Sequence, residues 1–118
     1  MPSGGNIAGV SKIFAKVTIG ASGAPTLVSS NNSYITGIAR NSAGDYTVTL
    51  ADAWNALLGL KITTQNATGI SASPDVGVKT NAVTTKSLGF VCSVGGVATD
   101  PASGDSLFIE IDLKNSSI

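Results

Sequence analysis

The chain contains no histidine and a single cysteine, Cys92. The missing histidines exclude every catalytic triad that relies on imidazole as its base. One thiolate cannot supply the three or four ligands of a His/Cys zinc site, nor can it close an internal disulfide. Charge is equally scarce: 7 cations and 7 anions cancel, and charged residues reach only 12% of 118, about half the usual share of a soluble domain. The cations are scattered singly from Lys12 to Lys114, so no basic stripe is available to neutralise a phosphate backbone, and a nucleic-acid partner is not expected. Aromatic residues make up 5%.

Long apolar runs are absent too. The longest uncharged stretch, Val17 to Ala39, is interrupted throughout by Gly, Ser, Asn, Thr and Pro, so no membrane span is expected. The first residues, Met1-Pro2-Ser3-Gly4-Gly5, have no cationic region leading into an apolar core and do not read as a secretory signal. Three Asn-x-Ser/Thr triplets begin at Asn31, Asn66 and Asn115. Chance matches are expected in so polar a chain, and we give them no weight as glycosylation sites.

What the chain does have is small neutral residues: Ser, Gly, Thr and Asn account for 49 of 118 positions, and mean hydropathy is +0.30. A folded monomer of 11.7 kDa exposes roughly 5,900 Å², so its charges are spread about twice as thinly as usual. Zero net charge adds a tendency to associate. The expectation is a surface partly reserved for partner proteins; a surface solvated by Ser, Thr and Asn is the plainer reading.

Period-two alternation dominates the chain. Residues 1–11 show no periodicity and read as an arm, ordered if at all by a partner. Lys12–Ile19 alternates with Ile13, Ala15, Val17 and Ile19 on one face, and Lys12, Phe14, Lys16 and Thr18 on the other. Thr26–Val28 reads as a short strand before a Ser/Asn loop over 29–33. Ile35–Arg40 and Asp45–Leu50 form a hairpin around Asn41-Ser42-Ala43-Gly44, with Gly44 expected at positive φ. Asp52 is placed to cap one helical turn carrying Ala53, Trp54, Leu57 and Leu58. Leu60–Thr64 returns to a strand. Val76–Thr80 and Val83–Thr85 are weaker strands, and Ser87–Val94 is a strong one leading into the tight turn Gly95-Gly96. Ser106–Lys114 closes the chain, with Leu107, Ile109, Ile111 and Leu113 inward. About eight short strands without a long helix predict an all-β fold: an antiparallel sandwich or barrel, of which a jelly roll is one form, over 12–118 as one domain, with the arm in front.

Groups with chemical potential are few, and each has a plainer reading. Glu110 and Asp112 share a strand face about 7 Å apart, a spacing compatible with glycoside hydrolysis. No aromatics for sugar stacking accompany them, and a solvated face salted by Lys114 is the simpler account. Asp100, Ser103 and Asp105 offer loop oxygens to Ca²⁺, but without an Asp-rich repeat they read as a turn. Gly4-Gly5 and Gly95-Gly96 lack the Lys-Ser/Thr of a phosphate loop. Cys92 alternates with Leu88, Phe90 and Val94, as a small buried hydrophobe does. Trp54 is either a plug at one end of the sandwich or an interface anchor. Phe14 and Phe108 fall on faces that otherwise carry Lys, Glu and Asp, where a partner contact explains an aromatic. No catalytic residue, metal or cofactor is assigned; the candidate interface is Ile7, Val10, Lys12, Phe14, Lys16, Trp54 and Phe108.

Three stretches carry a resemblance. They are the hairpin from Gly37 to Leu50, the Ala53-Trp54-Asn55-Ala56-Leu57-Leu58-Gly59 segment, and the ending Thr99-Asp100-Pro101-Ala102-Ser103-Gly104-Asp105 followed by a strand and Lys114-Asn115-Ser116. Together, over roughly 35–118, the sequence resembles the short β-rich proteins of tailed bacteriophages that decorate or cement capsids. The resemblance implies a non-enzymatic homo-oligomer, commonly a trimer, on the capsid exterior, with the major capsid protein as partner and no small-molecule substrate. The alternative reading is a tail- or fibre-associated module that binds a host glycan or a tail protein.

Overall fold

The structure, a computed structural model, describes residues 10–30, 34–66 and 74–114. Among the described residues, nine strands build two antiparallel sheets: β1 (Val10–Ile19), β2 (Pro25–Ser30), β3 (Ile35–Ser42), β4 (Asp45–Leu50), β5 (Ala56–Gln65), β6 (Asp75–Ala82), β7 (Ser87–Val94), β8 (Val97–Ala98) and β9 (Ser106–Lys114). The first sheet has the order β2-β1-β9-β5. The second runs β3-β4-β7-β6, with β8 paired to β7. The chain changes sheet between β2 and β3, on both sides of β5, and again before β9. That last strand returns to lie between β1 and β5, the crossing typical of Greek-key sandwiches. The fold is an all-β sandwich and not a closed barrel.

The two inner faces supply the core. β1 gives Ile13, Ala15, Val17 and Ile19, and β9 gives Leu107, Ile109, Ile111 and Leu113. Opposite them stand Tyr46, Val48 and Leu50 of β4 and Leu88, Phe90 and Cys92 of β7, all buried. Tyr46 and Phe90, paired across β4 and β7, stack with centroids 5.5 Å apart. Alternation is strict on β1 and β9 because both are central strands with one wet face.

The edges are built differently. β2, β3, β5 and β6 are the four outer strands, and each carries a break in register against its neighbour. The extra residues are Val28 on β2, Thr36 and Asn41 on β3, Leu58 on β5 and Lys79 on β6. Such bulges twist an edge out of the plane needed for another strand to add. Val28 and Leu58, each about half exposed, owe their exposure to these bulges.

Several sequence expectations change. The arm ends earlier than residue 11, because Val10 and Ser11 already pair with Lys114 and Leu113; residues 1–9 lie outside the described residues. The helical turn at Asp52 does not form. Residues 51–55 are a linker pinned by backbone bonds from Ala51 N–H to Tyr34 O, Trp54 N–H to Val83 O and Asn55 N–H to Lys114 O. β5 already begins at Ala56, and Leu57 pairs with Leu113. Val83–Thr85 is one 3-10 turn rather than a strand, ended by Lys86 at φ 70°.

Candidate functional site

The outer face of the first sheet gathers the residues that alternation left facing water. Cross-strand partners share a face in an antiparallel pair. The register therefore sets Lys12 beside Asp112, Phe14 beside Glu110 and Lys16 beside Phe108, with Lys61 and Thr63 of β5 on the far side of Glu110 and Phe108. Phe14 and Phe108 are diagonal neighbours on the two central strands. They remain 49% and 41% exposed, although neighbouring strands hold their backbones rigidly. The Lys16 ammonium lies 5.7 Å from the centroid of the Phe108 ring, a cation–π contact at an exposed site.

Charge on this face is partly self-neutralised. Lys12 Nζ sits 3.4 Å from Glu110 Oε2 and 3.4 Å from Asp112 Oδ1. Its hydrogen bond to Glu110 foremost, then that to Asp112, raises the lysine pKa above its ordinary value. The two carboxylates thus hold one ammonium between them. Lys16 and Lys61 make no ion pair among the described residues. Four of the chain's seven cations (Lys12, Lys16, Lys61, Lys114) and two of its seven anions (Glu110, Asp112) lie on this face, a surplus of two positive charges.

Of the candidate interface residues, the structure brings Lys12, Phe14, Lys16 and Phe108 into one patch. Val10 is half-buried at the start of β1, opposite Lys114. Ile7 lies outside the described residues. Trp54 is corrected: it is 6% exposed, belongs to the core and packs edge-on against Tyr34 at 6.2 Å. A buried ring offers a partner nothing, and the plug reading describes it. Its Nε1 finds no hydrogen-bond acceptor among the described residues.

Asp100 has a role that a lone turn aspartate does not announce. Arg40 Nε and Nη2 each donate to a different Asp100 oxygen at 2.9 Å, and the Gly44 N–H donates to Oδ1 at 2.8 Å. Tyr46 donates its hydroxyl to Gly23 O at 2.8 Å, with Asp100 Oδ1 at 3.3 Å. The Arg40 guanidinium, foremost, holds the Asp100 carboxyl below the usual carboxylate range. Burial pushes the Tyr46 phenol above its ordinary pKa. The carboxylate ties the β3–β4 hairpin to the segment before β9. Its oxygens are taken by protein donors rather than presented to a cation. Asp105, buried, accepts from the Ala102 N–H at 3.2 Å and from Asn66 Nδ2 at 3.4 Å. No group of three or more His, Cys, Asp or Glu side chains placed to hold a metal occurs among the described residues.

Cys92 is fully buried, and burial followed by the charge of Asp100 pushes its thiol up to about 11. It therefore stays protonated and unreactive at neutral pH. Comparison of the chain with family models, curated proteins and solved structures finds no match.

Proposed function

We propose that this chain is a non-enzymatic structural protein of a phage virion. It binds the outer surface of a capsid as a homo-oligomer, a trimer by the resemblance, and cements neighbouring major capsid proteins. The observation that carries the reading is the Phe14–Phe108 patch: two half-exposed aromatics on central strands, in a chain with little charge to keep it dispersed. Aromatic anchors ringed by charged side chains are the composition of a protein contact. The bulged outer strands support the same reading, because they turn association away from the edges and toward the faces.

The mechanism is linkage. A protein that binds the assembled shell and not its separated subunits stabilises the shell by mass action, about 2.7 kcal/mol per site at a hundredfold excess over Kd. The test uses capsids of the phage that carries the gene, prepared without this protein. Added chain is expected to reach a fixed stoichiometry per capsid and to raise the temperature at which the shells open. Absence of saturable occupancy overturns the proposal. Removing residues 2–9, which leaves β1 whole, tests whether the arm contributes: reduced occupancy is expected.

A further inference from the structure

We draw no further inference here: the strongest candidate, the half-exposed Phe14–Phe108 patch on the outer face of the first sheet, belongs to the surface already described, and nothing in the structure shows what covers it.

Discussion

The Asp100 clasp makes a quantitative prediction about stability. Substituting Asp100 by alanine removes the two-pronged Arg40 contact and leaves the N–H of the buried Gly44 without its acceptor. The ion pair is only half-shielded, with side-chain exposures of 32% and 22%, so solvent screening keeps its own share the smaller one. An orphaned buried donor costs about 1–3 kcal/mol. Tyr46 loses little, because its hydroxyl keeps Gly23 O. The expected loss is therefore about 2–3 kcal/mol, a drop in Tm of roughly 10 °C for a domain of this size. Arg40→Met is expected to cost less, since Asp100 then still accepts from the Gly44 N–H. Urea denaturation of both single variants and the double variant yields the coupling between them. The pH dependence follows from the sign of the shift. Asp100 is depressed in the folded state, so its contribution is complete above the ordinary carboxylate pKa of about 4 and vanishes as pH falls through the folded value. The gap between wild type and D100A should thus close in strong acid. A D100A chain within about 0.5 kcal/mol of wild type at neutral pH, or a gap unchanged in strong acid, would refute the reasoning.

Other substitutions separate core from surface. Trp54→Ala is expected to cost about 3–5 kcal/mol, whereas Phe14→Ser, on an exposed face, should stay within about 0.5 kcal/mol in the isolated chain; urea midpoints check both. Gly44→Ala is expected to abolish stable folding as followed by circular dichroism. At φ +70° its Cβ would lie 2.3 Å from Cys92 O and 2.7 Å from Thr99 N, both backbone atoms. Gly95→Ala, at φ +60° in open space, should cost only about 1–2 kcal/mol. Cys92 should resist thiol reagents at pH 8 until the chain is unfolded. Its folded pKa of about 11 exceeds the unfolded value of about 8.5, so stability should fall between those limits as the unfolded thiol ionises first, by roughly 3 kcal/mol, and Cys92→Ala should lose that part of the alkaline decline.

Alternation made the central strands legible. Ser87–Val94 and Ser106–Lys114 are read with correct ends, and Lys12–Ile19 needs only Val10 and Ser11 added, because burial on one face and water on the other enforce period two. Edge strands run longer than their alternating stretches. β2 and β5 each carry an inserted residue, Val28 and Leu58, which interrupts the period where the eye expects it to continue. Ala53, Trp54, Leu57 and Leu58 mimic a helical stripe, yet backbone bonds from distant parts of the chain claim the donors a helix would need. Phe14 and Phe108 were recognisable singly as misplaced aromatics, but their adjacency was not. It depends on β9 pairing with β1 across more than ninety residues of chain, and local sequence carries no record of that register. The same holds for the clasp, in which Arg40, Gly44, Tyr46 and Asp100 meet only through sheet order.

Scarcity of charge takes on a structural meaning in this arrangement. Sheet proteins commonly guard their outer strands with lysine or an inward-pointing charge. Here β2 has no charged residue, while β3, β5 and β6 carry few, and bulges occur on every outer strand instead. A bulge blocks strand addition without charge and leaves the charged residues free to be placed elsewhere. Lys79 illustrates the economy: it is itself the inserted residue of β6, and it crosses the sheet to pair with Asp45 of β4. Four of the seven cations then lie on the outer face of the first sheet, the face that carries Phe14 and Phe108. Guarding the edges by backbone geometry and concentrating charge on one face directs association to that face, where side chains rather than backbone groups choose the partner.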